Sequence, residues 1–268
     1  MIKRILNIIV VLIFIYIVVG LLLYFIQDRF LLHPKKLSRQ HRFSFAARHQ
    51  EMDIPVNNED TINLMKFLPA ANRPKGVVLY FHGNRENIEH YVKYVNRFTI
   101  RGYEVWMEDY PGFGKSTGEI SEQKLYDQAR QIRTLAASRY PDDSVIIYGK
   151  SFGTGVAAYT ARLQPAKILI LETPYYSIPS LFSHYAFMYP AQVMSHYSLP
   201  TYLFLQNLKT PVIIFHGTDD EVIPLSQAAR LQEMLKPNDQ FIEIENGKHN
   251  NLTSSPVYEQ VMDSVLKN

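Results

Sequence analysis

Short, largely apolar runs alternate along this 268-residue chain with segments whose apolar residues form one helical stripe, and that alternation limits its fold most tightly. Residues 76–81, 103–107, 144–148, 167–171, 211–215 and 240–244 read as strands. Between them, Ile88, Tyr91, Val92, Val95 and Phe98 form a stripe that stops at Gly102. A second stripe, Leu125, Ala129, Ile132 and Leu135, follows Ser121, a helix-capping residue. Residues 154–162 are Ala-rich, and segments around 225–235 and 256–266 read as further helices. Strands with no polar alternation are buried on both faces. The expectation is therefore an α/β fold, a mostly parallel sheet with helices on both faces. Ahead of it, residues 52–56 and 61–67 read as two strands joined by the turn Asn57-Asn58-Glu59-Asp60, with Pro55 suited to an edge strand.

One strand-to-helix junction carries chemistry. Gly149-Lys150-Ser151-Phe152-Gly153 is a G-x-S-x-G pentapeptide set between the strand at 144–148 and the Ala-rich helix. A strand that turns at once into a helix strains the turn residue, and flanking glycines remove the side chains that would clash. The Ser151 hydroxyl is then pushed out above the sheet at the positive end of a helix, as a nucleophile requires. Two Gly-Lys-Ser triplets suggest a phosphate-binding loop, but the glycine needed five residues earlier is Asp109 in one and Ser144 in the other.

The N-terminus sets a second constraint. Residues 5–26 are uncharged and dominated by Ile, Val and Leu, with Asn7 and Gly20 as the main exceptions. A helix of that length spans about 33 Å, enough to cross a hydrocarbon core of about 30 Å. The run is long for a signal peptide, and Leu22-Leu23-Tyr24-Phe25-Ile26-Gln27 offers no small-x-small cleavage site, so an uncleaved anchor is expected. Residues 1–42 carry a net charge of +6 and the remainder −3. The basic excess thus lies beside the membrane, where it favours anionic lipid, and a nucleic-acid surface on the folded domain is rejected. Positive-inside counting leans the domain toward the cytoplasm, while the short N-terminal tail, which often stays inside regardless, opposes it. The expected organisation is an anchor over 1–28, a basic juxtamembrane linker over 29–45 and a domain over 46–268.

Residues 175–208 interrupt the alternation. Nine Phe or Tyr side chains fall between Tyr175 and Asn207, divided by Pro179, Pro190 and Pro200. They read either as a helical excursion packed on the core or as a small cap-like insertion whose aromatics line an acyl pocket.

A serine needs a base, and the base a carboxylate, which in such sheets follow the nucleophile in the order Ser, Asp or Glu, His. Of nine histidines only His249 follows the last strand, in a loop flanked by Gly247, Asn250 and Asn251. Three adjacent carboxylates, Asp219, Asp220 and Glu221, lie just beyond the strand at 211–215, and Glu172 ends the strand before it. No cysteine is present, which excludes disulfides, thiolate metal sites and a cysteine nucleophile.

The chain resembles the α/β-hydrolases, and more narrowly their membrane-anchored bud-emergence-type branch, which includes lysophospholipases and acyl-protein thioesterases. The resemblance rests on Phe81-His82-Gly83-Asn84, Asp109-Tyr110-Pro111-Gly112-Phe113-Gly114-Lys115-Ser116, the pentapeptide, Glu172-Thr173-Pro174, the run from His216 to Pro224, and Gly247-Lys248-His249-Asn250. It implies Asp220 as the acid, four residues before Pro224, and an oxyanion hole built from the backbone N–H groups of Asn84 and Phe152. A helix beginning just after Ser151 agrees with the second of these. Where the family often has Arg, this chain has Pro111.

The expected protein is a membrane-anchored serine hydrolase that cleaves carboxylic esters or thioesters of acyl, lipid-like substrates through Ser151, Asp220 and His249. It needs no cofactor or metal, and its partners are the small acyl substrate and the bilayer. A peptidase or amidase on the same scaffold and a non-catalytic binding domain are the rival readings.

Overall fold

The computed structural model describes residues 1–57 and 59–267; Asn58, within the turn expected before the second strand, lies outside the described residues. Helix α1 (Ile2–Leu31) comes first, then the two-residue strand β1 (His33–Pro34). The antiparallel pair β2 (His49–Pro55) and β3 (Thr61–Phe67) leads to β4 (Gly76–Phe81) and the short β5 (Arg85–Glu86). Next come α2 (Ile88–Tyr91), a 3-10 turn, α3 (Asn96–Thr99), β6 (Tyr103–Glu108) and α4 (Glu122–Ala137). They are followed by β7 (Val145–Lys150), α5 (Gly153–Leu163) and β8 (Ile168–Glu172). Helices α6 (Ile178–Tyr185), α7 (Ala191–Met194) and α8 (Thr201–Leu205) separate β8 from β9 (Val212–Gly217). The chain then runs through α9 (Leu225–Ala229), β10 (Gln240–Ile244) and α10 (Pro256–Lys267).

Eight strands form one sheet in the order β10-β9-β8-β7-β4-β6-β3-β2. Strands β4 and β6 to β10 are parallel, while β3 and β2 close one side antiparallel. Pro55 lies in the edge strand β2, where a missing N–H leaves no inner ladder broken. Alternate residues feed two cores. Leu79, Phe81, Ile147, Leu169 and Ile214 face α4 and α5, whereas Val78, Tyr80, Ile146, Ile170 and Phe215 face Phe98 and α10. Burial on both faces is why these strands read as uninterrupted apolar runs. Parallel strands end at one edge, so the loops after β4, β6, β7, β8, β9 and β10 converge there, where such sheets bind ligands.

Two expected helices differ in form. The stripe from Ile88 to Phe98 is broken into α2, a 3-10 turn and α3, because its backbone stays right-handed but tightens to shorter hydrogen bonds around Val92–Tyr94. Its apolar side chains still face the core, with Ile88, Tyr91, Val95 and Phe98 buried. The N-terminal helix extends past residue 26 to Leu31, into the first residues of the segment expected as a basic linker over 29–45. No glycine or proline stands between Gly20 and Pro34 to stop it. Its 30 residues are long and apolar enough to cross a membrane.

Candidate active site

Ser151 sits at the turn between β7 and α5 with φ +51°, a left-handed conformation that a residue with a side chain adopts only under constraint. The constraint is visible: its N–H donates to Glu172 O at 2.9 Å, and its carbonyl accepts from Thr154 N at 2.9 Å and Thr154 Oγ1 at 2.6 Å. Gly153 is needed beside it, since a Cβ there would overlap the carbonyl oxygens of Phe81 and His82. The turn therefore packs directly on the loop that follows β4.

His249, on the loop after β10, places Nε2 2.9 Å from Ser151 Oγ and Nδ1 2.8 Å from Asp220 Oδ2. The other Asp220 oxygen accepts the N–H groups of Val222 at 2.9 Å and Ile223 at 2.8 Å. Burial pushes the Asp220 pKa up, but the His249 hydrogen bond and charge and the two N–H donors outweigh it, and the net direction is down. Of the three adjacent carboxylates, Asp220 is the one that meets His249. Glu221 is exposed with Lys248 3.9 Å away, and Asp219 accepts from the neighbouring Thr218 hydroxyl at 3.3 Å. His216 is buried behind Asp220, 3.6 Å from its Oδ2, and donates from Nε2 to Ile223 O at 2.8 Å.

Glu172, the other candidate acid, is occupied elsewhere. It is buried in an ion pair with Lys150 and accepts the Tyr148 hydroxyl. Burial opposes its charge, yet Lys150, Tyr148 and Arg97 hold its pKa below the usual carboxylate value. Lys150 also donates to His249 O at 3.3 Å, linking this buried pair to the histidine loop. Its place at the end of an apolar strand is the one sequence signal that it is buried.

The N–H groups of Asn84 and Phe152 have no acceptor among the described residues. Each belongs to a planar trans peptide whose carbonyl is held from the opposite side. Ser151 O is held by Thr154. Gly83 O accepts from His82 Nδ1 at 2.6 Å, so the Asn84 N–H points the other way. His82 is thus a positioning residue, although its sequence suggests only a place in the oxyanion segment. Because Nδ1 donates to a carbonyl, Nε2 keeps its lone pair, and it lies 3.7 Å from Asp109 Oδ1. Asp109 holds the far end of the same loop by accepting Ile88 N at 2.9 Å. Burial drives both groups neutral, lowering His82 to about 4 and raising Asp109 to about 8.

Beside Asn84 lies a cleft of about 490 Å3, lined mainly by apolar side chains of α1 and α6 and by Val222. Among the described residues no cluster of His, Asp and Glu is arranged to hold a metal.

Known proteins resemble the chain at three levels. A family model described as serine aminopeptidase, S33 matches residues 72–203, which include Asn84, Ser151 and Phe152 and end before Asp220 and His249. Over 237 residues the chain is 25% identical to the α/β hydrolase domain-containing protein aho-3 of Caenorhabditis elegans, covering 82% of this chain and 69% of that protein. Over 197 residues it is 30% identical to the lysophosphatidylserine lipase ABHD12 of Rattus norvegicus, covering 64% of this chain and about half, 48%, of that relative's length. Among solved structures, an esterase of Pyrococcus furiosus shares the fold with a TM-score of 0.68 at 15% identity, over 88% of this chain and 97% of that one.

Proposed function

The chain belongs to the α/β-hydrolase superfamily, and from that premise we propose that it is a membrane-anchored serine hydrolase of acyl esters or thioesters. The observation that carries the reading is the hydrogen-bonded line from Ser151 Oγ through His249 to Asp220. His249 Nε2 takes the Ser151 proton as Oγ attacks the acyl carbonyl carbon. The oxyanion forms opposite the N–H groups of Asn84 and Phe152, which are fixed before substrate arrives and need no reorganisation. Collapse breaks the bond to the alcohol or thiol, which leaves with the proton held on His249. Water, deprotonated by the same nitrogen, then attacks the Ser151 ester and releases the carboxylic acid. Asp220 stays ionised throughout, holding Nδ1–H and favouring the imidazolium.

A second reading, an aminopeptidase, is favoured by the description of the matching family model. A peptidase acting on free N-termini needs a carboxylate near the nucleophile for the substrate ammonium. The described residues lining the cleft include none; Leu23, Phe30, Leu181 and Phe182 dominate it, which supports acyl chains instead. The test is labelling with a fluorophosphonate probe, followed by acyl p-nitrophenyl esters against aminoacyl amides. Wild type should label, Ser151→Ala should not, and esters should be preferred. Equal labelling of both proteins would refute the nucleophile, and a preference for amides would refute the ester reading.

A further inference from the structure

A hydrolase of acyl esters needs an apolar trench leading from its oxyanion loop, and in this fold one wall of that trench is the N-terminal helix. Leu181 and Phe182 of α6 form one side of the cleft beside Asn84; Leu23, Phe30 and Leu31 of α1 form the other. Val222, whose N–H bonds to Asp220, also lines it. The cleft therefore touches both the oxyanion loop and the acid's loop.

Helix α1 is docked here rather than passing by. Gly20, Leu23, Gln27 and Leu31, spaced by three and four, are shielded, while Leu21, Leu22 and Phe25 are exposed. The buried Gln27 amide donates to Met194 O at 2.9 Å and accepts His196 N at 2.9 Å. Tyr16 stacks on Tyr189 with ring centroids 4.7 Å apart, and its hydroxyl donates to Met188 O at 2.8 Å. A Cβ on Gly20 would stand 2.9 Å from the Tyr189 ring, so the glycine that interrupts the apolar run is what lets that ring approach. At the other end Asn84 Nδ2 donates to Leu31 O, and His33 N donates to Asn84 O at 2.9 Å.

The segment held against α1 exposes Phe187, Met188 and Val193 at 81%, 63% and 82%. Bare apolar side chains beside an equally bare apolar helix suit hydrocarbon and not water. The cleft is thus walled at one end by the oxyanion loop and flanked at the other by residues suited to lipid.

We propose that the anchor helix is a wall of the acyl site: the acyl chain of a bilayer-resident ester lies between α1 and α6 and enters sideways from the lipid. This rests on the hydrolase reading above. The cleft's volume is within the usual range for ligand sites, and the Gln27 amide, one of its polar groups, is already engaged by Met194 and His196.

The test uses the full chain in phosphatidylcholine vesicles and the ratio of kcat/KM for p-nitrophenyl palmitate to that for the butyrate. Leu23→Trp and Leu181→Trp fill the cleft from opposite walls, while Leu12→Trp alters α1 away from it. Each methylene denied burial lowers kcat/KM about fourfold, so the ratio should fall about tenfold or more in the two cleft variants and match wild type in Leu12→Trp. Equal ratios in Leu23→Trp and Leu12→Trp overturn the proposal. Fluorophosphonate labelling of each variant separates that outcome from failure of the hydrolase reading, which would show as an unlabelled wild type.

A second measurement does not depend on turnover. The chain has no cysteine, so Leu23→Cys is a unique alkylation site. A hexadecyl phosphonate held covalently on Ser151 should shield that thiol from a maleimide, and a methyl phosphonate should not. Equal alkylation rates in the two adducts overturn the proposal even where the tryptophan variants fail to fold.

Discussion

Asp109 and Asp220 occupy equivalent-looking places and titrate in opposite directions. Both lie just past the end of a parallel strand, both are buried, and both accept backbone N–H groups. Asp109 is raised to about 8, because burial acts on it with a neutral imidazole as its neighbour and no cation to oppose it. Asp220 is lowered, because burial is outweighed by His249 and two N–H donors. Burial alone therefore does not decide whether a carboxylate is ionised; the group facing it does. One aspartate is a neutral brace for the loop after β4 and the other a charged support for His249.

The sharpest way to break this comparison is to remove the charge from each. Asp220→Asn keeps the size but lets His249 adopt the wrong tautomer, and kcat for an acyl ester should fall by about 10^3 to 10^4. Asp109→Asn still accepts from Ile88 N through its amide oxygen and stays uncharged, as the protonated acid is. Its effect should resemble that of one neutral hydrogen bond, about fivefold in kcat. Comparable losses in the two variants, read in one kinetic series, would show that Asp109 is ionised during turnover.

Glu172 supplies the intermediate case, a carboxylate kept charged by a cation, Lys150, rather than by a histidine. Glu172→Gln leaves Lys150 buried without its counter-charge, and breaking such a pair destabilises a fold by about 3–5 kcal/mol. Chemical denaturation should show that loss, while fluorophosphonate labelling of the folded fraction persists. A variant as stable as wild type would mean that Lys150 finds water or another acceptor.

How far these roles are readable beforehand depends on the range of the interaction. The parallel strands are legible because burial on both faces leaves an uninterrupted apolar run, and Ser151 because strand, glycines and helix are contiguous. The positions of Asp220 and His249 follow from strand order, but choosing Asp220 over Asp219 and Glu221 takes the resemblance, since neighbours in a loop differ only in direction. Glu172 and Lys150 are separated by 22 residues and become partners only through adjacent strands β7 and β8. The His82–Asp109 brace requires β4 and β6 to be neighbours. Gly20 looks like a blemish in the apolar span, and Gln27 like the polar residue just past its end, until residues 189–196 pack on them. Splitting of the 88–99 helix is equally invisible, because its apolar stripe is the same whether the turns are α or 3-10.

The pH dependence of stability is the most direct measure of the difference between the two aspartates. A carboxyl whose folded pKa is raised contributes stability that is fully present below its unfolded pKa of 3.8 and is lost as pH rises through about 8. Between pH 5 and 7 the unfolded Asp109 has released its proton and the folded one retains it. Wild type should therefore lose stability relative to Asp109→Asn by about 1.4 kcal/mol for each pH unit across that window. Asp220 is depressed instead, so its contribution is fully present above 3.8 and disappears only as pH falls through its lower folded value. Relative to Asp220→Asn, the carboxyl's own titration should add no slope from pH 5 to 7 and a decline only in stronger acid. Groups that face neither aspartate cancel in each difference. Glu108 does so while Asp109 is protonated, since Asp109 raises it only when charged, whereas His216, which the Asp220 charge raises, adds its own titration to the Asp220 difference. Urea denaturation of the three proteins at several pH values gives both slopes, and a flat difference for Asp109→Asn would mean that Asp109 is ionised in the folded protein and that the contrast with Asp220 is one of position alone.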